Sequence, residues 1–248
     1  MTLEQFFAEN REVAIAFSGG VDSAYLLYAA TRYAARVKAY YVSTAFQPAF
    51  ELEDARRLAD ELGADMLVLH VDVLSNSAVT ANPSDRCYHC KNTLFRQILR
   101  AAENDGFPVL LDGTNASDDA GDRPGMRALR ELSVRSPLRE CGLTKAEIRR
   151  LSRDAGLFTW DKPAYACLAT RIPAGQVITA EALRRTEAAE SYLFSLGFTD
   201  FRVRTVGNTA KLQLRAEQLP LLLAHREKIV KKLCSDYSSV CLDLEVRK

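Results

Sequence analysis

The chain has 248 residues, of which 48% are hydrophobic and 26% are charged, as in ordinary globular proteins. Its net charge is +1, so it lacks the basic surplus of dedicated nucleic-acid-binding proteins, and nucleic acid is not an expected partner. The first residues show no signal-peptide pattern and no apolar run is long enough to span a bilayer, so we expect a cytoplasmic protein without a membrane partner. In that compartment, six cysteines are typical of metal ligands, catalytic thiols or packing rather than of disulfides.

Short apolar runs alternate with amphipathic stretches in the first two-thirds of the chain. The runs predict strands at Val13–Phe17, Val37–Ala45, Met66–Val73 and Pro108–Asp112. The amphipathic stretches predict helices at Ala24–Ala35, Glu51–Leu62 and Asn92–Glu103. Strands and helices in this order favour βαβ units and a parallel sheet, in which ligands bind at the carboxyl ends of the strands.

The pattern changes after Arg171–Gly175, whose proline and glycine are typical of a linker. The following elements are predicted as helix, strand, strand, helix and strand at Thr179–Leu196, Phe201–Thr205, Lys211–Arg215, Glu217–Leu233 and Val240–Leu244. Thr179 is the expected N-cap of the first of these helices. We therefore predict an α/β protein with two domains. Residues 1–172 would hold a parallel sheet sandwiched by helices, and residues 177–248 a small α-β-β-α-β domain.

A six-residue motif joins the first predicted strand to the first helix: Ser18, Gly19, Gly20, Val21, Asp22 and Ser23. Its glycines let the backbone approach an anion closely, and its N–H groups and the helix N-terminus can bind phosphate. The serines add hydroxyl donors, and Asp22 can cap the helix or help to place Mg²⁺. An ordinary glycine turn is the simpler alternative, but the whole motif in this context favours a phosphate-binding loop.

With this loop, the chain resembles the PP-loop ATP pyrophosphatase superfamily, whose members transfer AMP from ATP to a substrate oxygen. The resemblance implies a five-stranded parallel sheet with ATP and Mg²⁺ bound at the loop. Gly113 and Thr114 follow the fourth predicted strand and are candidate ATP ligands, although a simple turn explains them equally well. Thr144 and Glu147 are interpreted instead as a capping box at the start of a helix.

Cys87 and Cys90 form a CxxC pair, and Cys167 is the third cysteine of interest. Three thiolates can hold a [4Fe–4S] cluster and leave one iron open to an additional sulfide. A structural zinc half-site and chance spacing are alternatives. A second CxxC that would complete a four-cysteine zinc site is absent from the sequence, although His89 or another group could supply the missing ligand. The remaining cysteines are predicted to be buried packing residues: Cys141, Cys234 and Cys241.

Several segments together resemble the LarE family, the sulfur-inserting enzymes of nickel-pincer nucleotide cofactor synthesis. The segments are Asn82–Lys91, Asp112–Asp118, Arg123–Leu129, Trp160–Pro163, Cys167–Arg171 and Leu242–Glu245. The resemblance covers nearly the whole chain. It implies an ATP-dependent sulfurtransferase that adenylates a carboxylate of pyridinium-3,5-dicarboxylate mononucleotide and converts it to a thiocarboxylate.

The family has two branches, which differ in the source of sulfur. In one branch a single cysteine, matched here by Cys167, gives up its sulfur and becomes dehydroalanine. In the other, three cysteines hold a [4Fe–4S] cluster. Because Cys87, Cys90 and Cys167 are all present, the chain resembles the cluster branch, with zinc as the alternative metal and Cys167 as the catalytic residue. The resemblance identifies no sulfur donor. Lys162 and Arg171 flank Cys167 and could lower its pKa, or could simply be solvated.

The implied substrate is a small anionic nucleotide and therefore needs arginine or lysine ligands. Arg202 and Arg204 alternate on a predicted strand and so share one face. The resemblance makes them candidate ligands of the substrate phosphate, and a solvated edge face is the equal alternative. Arg123 is a further candidate. The family is oligomeric, so a homo-oligomer is implied, with substrate binding and oligomerisation as the roles of the C-terminal domain.

Three other functions remain open. A tRNA-thiolating PP-loop enzyme can also use three cysteines and a cluster, but such enzymes usually carry an RNA-binding module and a basic surface. An amide-forming enzyme of the NAD- or GMP-synthetase kind would share the phosphate loop but would not need the three cysteines. A non-catalytic nucleotide-binding module would show no ATP:pyrophosphate exchange dependent on a carboxylate substrate.

Overall fold

The computed structural model describes residues 1–118 and 124–245. The helices are α1 (Leu3–Glu9), α2 (Val21–Tyr33), α3 (Ala49–Leu62), α4 (Ser77–Thr80), α5 (Arg86–Asn104), α6 (Pro124–Glu131), α7 (Pro137–Glu140), α8 (Lys145–Asp154), α9 (Ala180–Ser195) and α10 (Leu219–Leu233). The strands are β1 (Glu12–Phe17), β2 (Arg36–Ser43), β3 (Met66–His70), β4 (Val109–Leu111), β5 (Arg202–Val206), β6 (Thr209–Gln213) and β7 (Ser239–Leu242). None of the helices in the described ranges is both long enough and apolar enough to cross a bilayer.

The chain divides into two compact units. The first unit comprises residues 1–73 and 85–164, and the second comprises residues 74–84 and 165–248. These units differ from the predicted domains 1–172 and 177–248, because residues 74–84 and 165–172 group with the second unit.

The first unit is built on a parallel sheet, which confirms the predicted α/β class. Its described strands form a four-stranded sheet in the order β3-β2-β1-β4. The resemblance implied five strands. In the described residues the fifth position is taken only by an isolated parallel bridge between Leu111 and Arg135. The predicted strands ending at Ala45 and Val73 stop earlier, at Ser43 and His70.

Helices cover both faces of this sheet. Val13 and Ile15 of β1 are fully buried in one cluster with Leu27 of α2. Ala14, between them in sequence, belongs to another cluster with Ile98 of α5. Because successive strand residues point to opposite faces, these clusters lie on the two sides of the sheet. A strand buried on both faces is apolar at consecutive positions, which is why β1 was recognisable in the sequence.

The second unit contains a separate three-stranded sheet in the order β5-β6-β7. Strands β5 and β6 are antiparallel and joined through Gly207 and Asn208, while β6 and β7 are parallel. Leu193 of α9 and Ile229 of α10 are buried against Val203 of β5. The predicted α-β-β-α-β order is confirmed, as is Thr179 as the N-cap of α9, where its side chain accepts the N–H of Ala182.

The interpretation of Arg171–Gly175 as a linker is wrong. Arg171 ends a 3-10 helix and only 1% of its surface is exposed. The Asn82 side-chain amide donates to the carbonyl oxygens of Ile172 and Pro173, at 3.3 and 2.8 Å, and the Asn82 carbonyl accepts the N–H of Gly175 at 2.8 Å. These bonds explain both the packed state of the segment and the grouping of residues 74–84 with the second unit.

Candidate functional site

The phosphate loop connects β1 to α2 in the first unit. Gly19 has a φ of +71°, in the left-handed region that favours glycine. A Cβ atom there would lie 3.2 Å from the Cβ of Ala55 on α3, so the turn is also tightly packed. Gly20 is the N-cap of α2 and provides no side-chain cap. The first N–H groups of this helix are therefore available to an anion.

The two serines of the loop are joined by hydrogen bonds. Their hydroxyl oxygens lie 3.0 Å apart, and Ser23 Oγ accepts the backbone N–H of Ser18 at 3.2 Å. Ser23 Oγ also donates to the carbonyl oxygen of Gly20 at 3.1 Å. The side chains thus close the loop into a ring and hold its backbone in a fixed shape before any ligand binds.

Asp22 pairs with Lys145 rather than capping α2. Lys145 Nζ donates to Asp22 Oδ2 at 2.5 Å. The other carboxylate oxygen, Asp22 Oδ1, is buried and has no hydrogen-bond partner among the described residues. An unsatisfied carboxylate oxygen beside a phosphate-binding loop is the kind of hard oxygen ligand that Mg²⁺ takes, so the donor set fits this ion.

Lys145 is a candidate site residue that the sequence analysis did not select. It is the first residue of α8, directly after the N-cap Thr144. The predicted capping box of Thr144 and Glu147 is confirmed, and the hydrogen bonds from Thr144 lower the pKa of Glu147. The capping box explained the local sequence completely. A lysine at this position gave no separate signal of a role in phosphate binding.

Gly113 brings the end of β4 against the phosphate loop. A Cβ atom at Gly113 would lie 2.9 Å from the backbone nitrogen of Ser23 and 3.2 Å from its Cα, which is too close for any side chain. Glycine is required here because two backbone segments touch. Since β1 and β4 are adjacent and parallel, their carboxyl ends meet at this point. β1 pairs with β2 on its other side, so the loop lies where the strand order reverses, the usual ligand position in such sheets.

Buried polar groups support the segment after β4. Asp112 is 6% exposed and accepts the hydroxyl protons of Thr114 and Ser136, at 2.5 and 2.6 Å. It also accepts the backbone N–H of Thr114 at 3.3 Å. The Thr114 hydroxyl is therefore engaged by Asp112, which makes Thr114 a support of the loop as much as a candidate ATP ligand. The sequence favoured an ATP contact and a simple turn equally for this segment, and neither Asp112 nor Ser136 was predicted as a site residue.

Cys87 and Cys90 lie near the N-terminal end of α5, in the first unit. Residues three apart share one side of a helix, so the two thiols face the same way. Cys87 is exposed, Cys90 is partly buried, and the Arg86 guanidinium lies 4.0 Å from Cys87 Sγ.

Cys167 lies in the second unit, at the N-cap of the 3-10 helix Leu168–Arg171, and is partly buried. The Arg171 guanidinium donates to the carbonyl oxygen of Ala166 at 2.8 Å and pairs with the buried carboxylate of Glu190. The alternative that Arg171 is simply solvated is therefore wrong. Lys162, in the first unit, is also engaged, in an ion pair of 2.6 Å with Asp54.

The three candidate metal ligands are divided between the two units. Cys87 and Cys90 belong to the first unit and Cys167 to the second. In the part of the chain that the structure describes, no group of three or more His, Cys, Asp or Glu side chains is arranged to hold a metal ion. The thiol donors nevertheless have the softness that iron–sulfur clusters and zinc require.

The other cysteines are less buried than expected. Cys234 and Cys241 are exposed and Cys141 is partly buried, so the prediction that all three are buried packing residues is wrong. Cys234 is the C-cap residue of α10, and Cys241 lies on the outward side of the edge strand β7. Partial burial raises the pKa of the Cys141 thiol.

The two arginines proposed as substrate ligands are held within the second unit. Arg202 is only 6% exposed and donates to the carbonyl oxygen of Phe201 at 2.6 Å. Arg204 donates to the side chain of Gln213 at 2.5 Å and to the carbonyl oxygen of Thr170 at 2.8 Å. The alternative of a solvated edge face is therefore wrong for this pair. Arg123, the third candidate, lies outside the described residues.

Comparison with known proteins gives matches over most of the chain. Residues 4–118 match the family model described as asparagine synthase. An uncharacterised protein of Synechocystis sp. is 40% identical over 220 residues, which are 88% of this chain and 81% of the relative. The pyridinium-3,5-bisthiocarboxylic acid mononucleotide synthase of Lactiplantibacillus plantarum is 32% identical over 246 residues, covering 98% and 89%. The tRNA-specific 2-thiouridylase MnmA of Thermotoga petrophila is 25% identical over 191 residues, covering 59% and 52%.

Proposed function

This chain belongs to the LarE family of ATP-dependent sulfurtransferases, in the PP-loop superfamily, and we propose that it converts a carboxylate of pyridinium-3,5-dicarboxylate mononucleotide to a thiocarboxylate. The observation that carries the proposal is the phosphate loop. Its backbone is fixed by the two serines, its helix N-terminus has no side-chain cap, and Gly113 lies directly beneath it. The similarity to a mononucleotide synthase over 98% of the chain supports the substrate class.

The first proposed step is adenylation. A carboxylate oxygen of the substrate attacks the α-phosphorus of ATP, the bond from that phosphorus to the bridging oxygen breaks, and pyrophosphate leaves. The N–H groups of the loop and the Lys145 ammonium supply positive charge where the leaving pyrophosphate gains negative charge. Mg²⁺ would offset part of the phosphate charge, and Asp22 Oδ1 is the oxygen that would hold it.

The second proposed step is sulfur transfer. A carboxylate is a poor electrophile, whereas the acyl adenylate carries AMP as a good leaving group. A hydrosulfide ion (HS⁻) attacks the acyl carbon, and the bond from this carbon to the AMP oxygen breaks. The products are the thiocarboxylate, AMP and one proton. Sulfur stays at the sulfide level throughout, so this step needs no oxidant or reductant.

The proposed sulfur centre uses Cys87, Cys90 and Cys167. A [4Fe–4S] cluster held by these thiolates would supply an open iron that can carry a sulfide. The spacing of Cys87 and Cys90, three residues apart on one side of α5, supports them as a ligand pair. Zinc is the alternative metal for the pair. Sacrifice of Cys167, with its sulfur entering the product, is the alternative sulfur source.

The proposed substrate ligands are Arg202 and Arg204, with Arg123. An anionic mononucleotide needs cations, and the two arginines of β5 flank Val203 on the strand that follows the Cys167 segment in the second unit. Guanidinium groups suit phosphate because they can donate two parallel hydrogen bonds. The family resemblance also leads us to propose a homo-oligomer.

ATP:pyrophosphate exchange tests the proposed function. We expect exchange that depends on the dicarboxylate mononucleotide, and a loss of at least about tenfold in Ser23→Ala because that hydroxyl fixes the loop. Ser195→Ala, which removes an exposed hydroxyl of α9, is the matched control. Exchange that depends on tRNA would replace the proposal with tRNA thiolation, and amide formation from ammonia would replace it with a synthetase. No exchange with any carboxylate would indicate a binding module.

A further inference from the structure

A buried carboxylate in the second unit joins the Cys167 segment to the arginine-bearing strand. Glu190, on α9, is 1% exposed. Its carboxylate accepts Arg171 Nε at 2.8 Å and Arg171 Nη2 at 3.1 Å, a two-point ion pair. It also accepts the backbone N–H of Val203 at 2.8 Å and the hydroxyl proton of Tyr165. All four donors come from two segments, the residues around Cys167 and strand β5.

The other end of Arg171 fixes the backbone around Cys167. Its Nη1 donates to the carbonyl oxygen of Ala166 and to the Thr170 hydroxyl, both at 2.8 Å, and contacts the Cys167 carbonyl at 3.4 Å. A guanidinium keeps its positive charge in proteins, so Arg171 keeps all of these donors.

The strand is tied back to the same segment. Val203 lies between Arg202 and Arg204, so its bond to Glu190 fixes the point on β5 from which both guanidiniums extend. Arg204 donates to the carbonyl oxygen of Thr170 at 2.8 Å. The Arg202 guanidinium lies 5.3 Å from the centre of the Tyr165 ring. The Cys167 segment and β5 are thus held together at several points, and Glu190 contacts both.

A contribution to stability alone does not explain this arrangement. Replacing a buried ion pair by apolar side chains of similar volume is often neutral or even stabilising, because the desolvation of two charges offsets their attraction. A four-donor carboxylate does, however, allow only one geometry for the segments that it joins. The chemistry proposed above needs such a geometry, since sulfur must reach a substrate whose phosphate is anchored elsewhere.

We propose that Glu190 is a positioning residue, which sets the spacing between Cys167 and the strand carrying Arg202 and Arg204. A substrate anchored by the arginines then presents its activated carboxylate to sulfur at Cys167. This inference rests on the proposed function. Glu190 acts through Arg171 and the backbone and touches no reacting atom, so we expect it to affect sulfur transfer more than adenylation.

The test removes the connection while keeping the packing. In the double variant Arg171→Met, Glu190→Leu, both charges are replaced together so that no charge is left unpaired. The matched control is Thr186→Val, which breaks a different buried hydrogen bond between the same helix and strand, the bond from Thr186 to Thr205. Three quantities are measured in each protein: single-turnover sulfur transfer, ATP:pyrophosphate exchange, and amide hydrogen exchange at Val203 and residues 165–171.

The expected result for the double variant is a folded protein whose sulfur transfer falls about 100-fold, while the kcat of ATP:pyrophosphate exchange stays within about threefold. Amide exchange at Val203 and residues 165–171 should accelerate in the double variant. In Thr186→Val, both sulfur transfer and amide exchange at these positions should stay as in the wild type. Unchanged sulfur transfer and unchanged amide exchange in the double variant would overturn the proposal. So would an equal loss of both half-reactions in a folded protein.

The role of Glu190 can still be tested if the double variant does not fold or if the wild-type protein transfers no sulfur. If the double variant does not fold, Tyr165→Phe removes a single donor to Glu190, and we expect a smaller loss of sulfur transfer with faster amide exchange at residues 165–171. No change in that variant would count against the positioning role. If the wild-type protein transfers no sulfur to the mononucleotide, the proposed function fails, and the amide exchange still decides whether Glu190 fixes the Cys167 segment.

Discussion

Lys145 Nζ lies 2.5 Å from Asp22 Oδ2, which joins the start of α8 to the first turn of α2 across 123 positions of the sequence. The pair places an ammonium group beside the phosphate loop, while Asp22 Oδ1 is buried and has no hydrogen-bond partner in residues 1–118 and 124–245. Both features suit a site that receives a polyphosphate and a divalent cation. The ion pair with Asp22 holds the Lys145 ammonium group beside the phosphate loop before ATP binds.

Removing the Lys145 charge should impair adenylation. In Lys145→Met the leaving pyrophosphate loses a nearby cation, and we expect kcat/KM for ATP:pyrophosphate exchange to fall by about 100-fold. Lys145→Arg should retain part of the rate. Lys232→Met, in the last turn of α10, is the control and should behave like the wild type. An exchange rate in Lys145→Met equal to that of the control would exclude a role of Lys145 at the phosphates.

Adding a methyl group at Gly113 should distort the phosphate loop. The new Cβ would lie 2.9 Å from the Ser23 nitrogen, so backbone must move, and such overpacking costs about 1–3 kcal/mol. We expect the KM for ATP in Gly113→Ala to rise about tenfold or more. Gly106→Ala is the comparison, because Gly106 has open space but a φ of +76°. It should lose about 1–2 kcal/mol of stability and keep its KM for ATP. Equal KM values in the two variants would contradict the close contact.

The sheet and the phosphate loop were predictable because their signals are local. Runs such as Val13–Phe17 are apolar at consecutive positions, and strands covered on both faces have this pattern. The six-residue motif needs only its immediate neighbours to be recognised. The fifth strand that the resemblance implied does not form in the described residues, where Arg135 makes only a single bridge to Leu111.

The contacts that complete the site were less predictable because they join distant positions. Lys145 forms an ion pair with Asp22, and Glu190 forms one with Arg171. The sequence around each residue contains no pattern that identifies its partner. A proline and a glycine soon after Arg171 are typical of a linker. Arg171 is nevertheless buried, because it pairs with the buried carboxylate of Glu190 on α9. The burial of a cysteine such as Cys241 depends on which strand is at the edge of its sheet, and composition alone does not determine this.

The stability of the first unit should depend on pH through Asp105, the C-cap residue of α5, whose partners Lys38 and Tyr40 lie on β2. A hydrogen bond from Tyr40 and a second from Lys38 lower the pKa of this carboxyl. Its stabilising effect is therefore present above the unfolded pKa of about 3.9 and is lost as the pH falls through the lower, folded value. Asp105→Asn should lower the free energy of unfolding at about pH 6, and the difference from the wild type should shrink towards about pH 3, because asparagine resembles the protonated acid.

Urea denaturation at several pH values measures this effect. Glu61→Gln is the control, since its partner Arg57 and its own side chain are both exposed and such pairs contribute little. A difference between Asp105→Asn and the wild type that stays constant down to about pH 3 would show that the ionised form of Asp105 does not stabilise the fold.

Metal analysis of cysteine variants should identify the sulfur centre. Protein purified and reconstituted without oxygen should contain about four irons with matching sulfide and show cluster absorption. Cys87→Ser, Cys90→Ser and Cys167→Ser should each lose most of the iron, since each removes one of three thiolates. Cys234→Ser and Cys241→Ser, which change exposed cysteines outside the proposed set, should keep it.

Zinc that is lost only in the Cys87 and Cys90 variants would instead indicate a structural zinc site. Metal-free protein in which turnover converts Cys167 to dehydroalanine would establish the sacrificial source. Adenylation would survive either result, because it depends on the phosphate loop and Lys145 rather than on the thiols.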